Sequence, residues 1–152
     1  MPAFMTFGRV IFAVLFIYTG ATKLFGIQAT ADLIAAKVII PDVLAPYAAQ
    51  LEAMTGMPTS QLLAILSGSF EVLAGVMIAL NVLPRLFALL MIIFVGATIY
   101  YFHDFWNQTP PDNAKTLIDA LKNLSIIGAL FMIFGHGSGP RRIDEKAAYG
   151  DI

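Results

Sequence analysis

The chain has 152 residues, a length that suits one domain. Hydrophobic residues make up 59% of it and charged residues 12%, against about 25% charged in soluble domains, and a soluble domain this small cannot hide so much apolar surface. The composition therefore points to lipid as the solvent. With a net charge of −1 and no cysteine, it argues against a disordered chain, a nucleic-acid partner, disulfides and Cys-ligated metal.

A helix needs roughly 17–25 mostly apolar residues to cross a bilayer. The sequence predicts a first span over Phe7–Phe25, with Arg9 at its start and Lys23 near its end. Val10–Gly20 could be read as a signal-peptide core, but one Arg makes a poor n-region, so the segment is expected to be a retained helix. Residues 27–60 form a long link with Pro41, Pro46, Gly56 and Pro58. Tyr47, Leu51 and Met54 lie there at helical spacing behind a possible Asp42 cap, which predicts short helices lying on one end of the bundle. A second span is expected over Gln61–Leu83, interrupted by Glu71, and a third over Leu86–Phe102, joined to it by a tight turn with Pro84. The TPPDN run breaks the chain before a fourth span over about Leu117–Phe134, which must begin within a turn holding Asp119, Lys122 and Asn123. A Gly-rich, charged tail, 135–152, closes the chain, with His136 read as a loop residue. The runs are long and lack period-2 alternation, so the expected fold class is an all-α membrane protein. Its architecture is an antiparallel bundle of four transmembrane helices.

Four spans place both termini on one side. That side collects Arg9, Arg85, Arg141, Arg142 and Lys146, and the other collects Lys23, Lys37, Lys115 and Lys122. The balance predicts cytoplasmic termini in a bacterial or archaeal plasma membrane. Tyr100, Tyr101, Phe102, Phe105 and Trp106 then form an aromatic belt at the outer interface.

Ionisable residues inside a span are costly and mark functional sites by default. Lys23 lies 14 residues from Arg9, Glu71 14 from Arg85, and Lys122 14 from His136. At 1.5 Å per residue, each sits ~21 Å from the inner boundary. Tyr100 and His103 reach the rim of the same layer. The candidate ligand or proton residues are therefore Lys23, Glu71, Tyr100, His103, Trp106, Lys122 and Asn123. Two readings compete. Glu71 could bridge Lys23 and Lys122 and simply fix which helices are neighbours, or the layer could bind a polar or anionic head group. Small residues at four-residue spacing, Ala64/Gly68, Gly75/Ala79 and Ser125/Ala129, are expected to permit close helix packing. No metal site is expected, since the two histidines fall at opposite faces.

Six features in order carry a family resemblance: Arg9, with Gly20 and Lys23; Glu71-Val72-Leu73-Ala74-Gly75; Pro84-Arg85; His103-Asp104-Phe105-Trp106; Lys122-Asn123; and the Gly137-to-Asp144 run. Together they resemble the DoxX family of small four-helix membrane proteins, over roughly residues 7–146. The resemblance implies a redox-associated membrane subunit, with a quinone as the possible cofactor and other proteins as redox partners. On that expectation Lys23, Lys122 and His103 would meet quinone oxygens, Tyr100 and Trp106 would stack, and Glu71 would handle a proton. The chain carries no electron carrier of its own, so it would not be a complete oxidoreductase. The alternatives are a scaffold that docks partner proteins through the 27–60 cap, and a carrier for a small anion or lipid.

Overall fold

The computed structural model describes residues 2–137. It contains α1 (Pro2–Phe25), α2 (Ile27–Lys37), α3 (Ala45–Thr55), α4 (Thr59–Ala79), α5 (Pro84–Phe102), a 3-10 turn (Phe105–Asn107) and α6 (Asp112–His136). No strand occurs among the described residues. Helices α1, α4, α5 and α6 are long and apolar enough to cross a membrane. Their outward faces are apolar: Phe25 is 93% exposed and Met132 72%. In water such faces would aggregate; in a bilayer they are the lipid-facing surface.

The fold is the all-α, four-helix membrane bundle that composition predicts, with shifted boundaries. Helix α1 begins at Pro2, five residues before the expected Phe7. Helix α4 stops at Ala79, not Leu83, because the chain reverses there with Asn81 and Leu83 both at positive φ (60° and 45°). Pro84 then opens α5 at its first position, where its missing N–H costs nothing. Helix α6 begins at Asp112, so Asp119, Lys122 and Asn123 lie well inside it instead of in a turn. His136 is its last residue, not a loop residue. The 27–60 link folds as α2 and α3, but Asp42 is not the cap of α3. Leu44 takes that place, and Asp42 contributes only its backbone carbonyl, to Ala45 N–H. The tail lies outside the described residues beyond Gly137.

The tightest pairing is α1 against α4, and glycine makes it possible. A Cβ on Gly20 would stand 2.6 Å from the Gly68 carbonyl oxygen, and one on Gly75 would stand 2.9 Å from Ile17 Cγ1. Backbones this close gain dispersion contacts that lipid cannot replace. The antiparallel order is fixed along the seam. Ala13 and Ile17 meet Gly75, and Gly20 and Leu24 meet Gly68. The expected Ala64/Gly68 and Gly75 positions are buried in this seam or beside α2, whereas Ser125 is exposed and Ala129 lines an open groove. Helices α5 and α6 form the second close pair, joined to α4 through a core of Phe16, Ala74, Ile78, Ala88, Met91, Val95 and Leu130. Helix α2 turns back at Gly26 and packs Ala31 and Ile34 against Ala64. Helix α3 buries nothing: Tyr47 is 65% and Met54 76% exposed.

Arg9 donates to Asn81 Oδ1, and the guanidinium of Arg85 packs over Gly137. The start of α1, the α4–α5 turn and the end of α6 thus share one end of the bundle. Helices α2 and α3 and the α5–α6 link occupy the other.

Candidate functional site

The predicted charge layer separates into distinct centres. The first joins α1 to α4. Lys23 Nζ stands 2.5 Å from Glu71 Oε1, and Thr19 Oγ1 stands 2.9 Å from Glu71 Oε2. Thr19 has one hydroxyl proton, and the Leu15 carbonyl competes for it at 3.0 Å. The carboxylate is the stronger acceptor, so the Thr19 hydroxyl donates to Glu71. Glu71 is the buried charged residue of the described chain, with 6% of its side chain exposed against 29% for Lys23. Lys23 Nζ also lies 5.3 Å from the Phe94 ring centroid, within cation–π range. Local sequence builds this centre. Thr19 and Lys23 are four apart on one face of α1, and glycines 20 and 68 let the two helices close until the ion pair forms.

Lys122 does not join it. Lys122 pairs instead with Asp119, one turn away on α6, at 3.0 Å, and its side chain is 69% exposed. His103 and Lys115 are within electrostatic range of Asp119. Asn123 is half-buried beside this pair on α6. The bridge from Glu71 to Lys122 therefore does not form, because α6 turns that face outward.

The remaining candidates lie at the end of the bundle. Tyr100 and Trp106 line a cleft of about 580 Å³ together with Lys37, Asp104 and Asn107. The rings of Tyr100 and Trp106 stand 6.3 Å apart, and Phe105 meets Trp106 edge-on at 5.0 Å. Lys37 Nζ donates to Asp104 Oδ1 at 3.1 Å, and Gln108 Nε2 donates to the same oxygen at 3.2 Å. Thr116 Oγ1 donates to Gln108 Oε1 at 2.6 Å. This chain ties α2 to the α5–α6 link and to α6, and it holds Lys37 at the cleft. His103, adjacent in sequence, closes α5 by donating its backbone N–H to the Ile99 carbonyl.

Sequence reasoning did not place Lys37 or Asn107 in a site. Lys37 and Asp104 are 67 positions apart, and nothing in either segment announces the other. Their only local signal was the His-Asp-Phe-Trp run that closes α5.

This bundle, with its Lys–Glu pair and aromatic end, can be set beside known proteins. The DoxX family's sequence model matches residues 4–104. The chain belongs to the DoxX family. The match runs from α1 to the residue after His103, so α6 and its Lys122-Asn123 pair lie beyond it. The chain is also similar to a protein called inner membrane protein YphA from Escherichia coli (strain K12). It is 27% identical over 145 residues, which cover 95% of this chain and 91% of YphA. No solved structure matches it. The family match and the four apolar helices make this DoxX chain a multi-pass membrane protein in contact with the bilayer.

Proposed function

We propose that this DoxX-family protein is a small inner-membrane subunit that holds a quinone-type head group for a redox partner protein. The head group would lie in the cleft between α2 and the α5–α6 link. The observation that carries the reading is the lining of that cleft: two aromatic faces, Tyr100 and Trp106, beside two nitrogen donors, Lys37 and Asn107. A quinone ring is flat and apolar with two carbonyl acceptors at its edge. Aromatic faces suit the ring, and a charged donor suits a carbonyl. The cleft lies at the end of the spans, where tyrosine and tryptophan favour the membrane interface and an isoprenoid tail could stay in lipid. The partner protein would supply the electrons.

On this reading the Lys23–Glu71 pair is a structural lock. Both carboxylate oxygens are already engaged, which leaves little capacity for a ligand. The exposed apolar side chains of α3 suit a helix lying in the interface, and the arginine-bearing end suits the cytoplasmic side.

Trp106 is the one tryptophan of the chain, so it reports on its own cleft. Titration of detergent-solubilised protein with a short-tailed quinone should quench its emission saturably. Lys37→Met should weaken the apparent affinity about tenfold, the effect of losing a charge-assisted hydrogen bond. Asn107→Leu should weaken it less, and Lys122→Met should leave it unchanged. Linear, unsaturable quenching that is identical in all four proteins would remove the proposal. A quinone retained by wild type but lost only on changing Lys23 and Glu71 would move the site back to the ion pair.

A further inference from the structure

Among the described residues, the end of the bundle away from the cleft holds basic side chains and no carboxylate. Arg9, Arg85 and His136 gather there. The seven carboxylates of residues 2–137 all lie elsewhere: on α2, α3 and their link, midway along α4, after α5, and in the N-terminal third of α6. Among the described residues, neither arginine has a carboxylate partner. Arg9 is also short of acceptors. Its contact with Thr6 is long, at 3.4 Å, and its Nε is buried without a hydrogen-bond partner. Such a donor is uncommon in a folded protein and calls for an acceptor.

A groove of about 290 Å³ runs into this end between α1 and α6. Phe4, Gly8 and Phe12 form one wall, and Ala129, Met132 and Ile133 the other. Arg9, His136 and Gly137 complete it, and Arg85 packs against Gly137. The groove follows about two turns of each helix, ~10 Å. It stays open because α1 and α6 are not a packed pair, and a Cβ on Gly8 would meet nothing within 4 Å.

We infer that this groove is a binding site for an anionic phospholipid, with an acyl chain between α1 and α6 and the phosphate against the Arg9–Arg85 pair. The chemistry selects this occupant. An apolar trough ending in guanidinium groups that no described carboxylate pairs matches an amphiphile with a negative head. A second copy docked symmetrically would bring its own Arg9 and Arg85 against these. A zwitterionic phospholipid would bring its own ammonium group into the same cluster. Anionic lipids are the ones a cationic membrane face attracts.

The test is native mass spectrometry of the full chain released from detergent supplied with either phosphatidylglycerol or phosphatidylcholine. Wild type should retain phosphatidylglycerol near one per chain and lose phosphatidylcholine at lower activation energy. Arg85→Gln should lower phosphatidylglycerol retention about fivefold, the share of one membrane-facing cation. Gly8→Phe should block the groove without touching the α1–α4 seam, and it should abolish selective retention while circular dichroism stays helical. Arg9→Gln should resemble Arg85→Gln, and if its loss of the Asn81 contact unfolds it, Arg85→Gln and Gly8→Phe decide. Inorganic phosphate should not displace the lipid. Equal retention of the two lipids, indifference to both Arg85→Gln and Gly8→Phe, or displacement by phosphate would each overturn the inference.

Discussion

Removing either member of the Lys23–Glu71 pair should destabilise the bundle, and removing both should not. The pair is close, at 2.5 Å, and only 6% of the Glu71 side chain is exposed. Stranding a buried charge typically costs about 3–5 kcal/mol, whereas replacing a buried pair by apolar residues of similar size is often neutral. The two singles should differ. Lys23 lies two residues from the end of α1 and is 29% exposed, so without Glu71 its ammonium can extend toward the interface. Glu71 lies mid-helix, buried in the α1–α4 seam, and has no such escape. Glu71→Leu should therefore fall near the lower figure, about 3 kcal/mol, and Lys23→Met near the upper, about 5 kcal/mol. The double variant should lie within about 1 kcal/mol of wild type. Glu71→Gln, which keeps an acceptor for Thr19 and Lys23, should cost about 1–2 kcal/mol. Equilibrium unfolding in mixed micelles by an increasing fraction of denaturing detergent reads all four. The coupling energy of the cycle should be several kcal/mol. Additive singles, with a double variant as unstable as their sum, would show that the two charges act independently and refute the lock.

The glycine seam gives a prediction of opposite signs. Gly20→Ala drives a methyl to 2.6 Å from a backbone oxygen that cannot step aside, and should cost about 3 kcal/mol or more, while Gly8→Ala, in open space, should gain up to about 1 kcal/mol from helix propensity. The same unfolding assay checks both. At the α3–α4 corner, Glu52 accepts from Thr59 through both N–H and hydroxyl at 2.6 Å, and these bonds hold its carboxyl below the ordinary value of 4.5. Its contribution is present above that value and is lost as pH falls through the lower, folded one, so proteolytic nicking at residues 55–59 should rise below about pH 4.5. Glu52→Gln should be nicked equally at pH 6 and pH 4, and a wild type whose nicking does not change with pH would refute the account.

The fold was legible because its signals are local and redundant. Each long apolar run names a helix by itself, and Pro84 or the TPPDN run names its end. The α1–α4 contact was half legible. Thr19, Gly20 and Lys23 share a stretch of one helix, and Gly68 and Glu71 share a stretch of another, so a small-residue face already carried the charges. Which partner Glu71 takes was not legible, since Lys23 and Lys122 lie at equal depth and depth cannot discriminate between helices. Rotation decides it. Helix α6 turns Lys122 outward, where Asp119 at i−3 satisfies it locally. Nor was the end cleft legible. It is assembled from α2, the end of α5 and the turn after it, and its organising contact, Lys37 to Asp104, spans two spanning helices and the cap.

The distribution of glycine explains why the proposed ligand sites fall at the ends of this bundle. Gly20, Gly68 and Gly75 face backbone or side chains within 3.0 Å of where a Cβ would stand, and they close α1 on α4 along most of its length. Gly8 faces nothing within 4 Å, and it lies in the groove where α1 and α6 stay apart. One seam is therefore sealed at mid-membrane, with its charges neutralised by each other, while another is left open to lipid. A sealed pair with both carboxylate oxygens engaged offers a ligand little, and an open apolar seam has no polarity, so neither mid-membrane region suits a polar head group. Both requirements meet only where the helices end: at the aromatic, lysine-bearing cleft on one side and at the arginine-bordered groove on the other. A variant that opened the α1–α4 seam without unfolding the chain would free Glu71 and Lys23 for ligands. By this reasoning it would gain mid-membrane binding that wild type lacks.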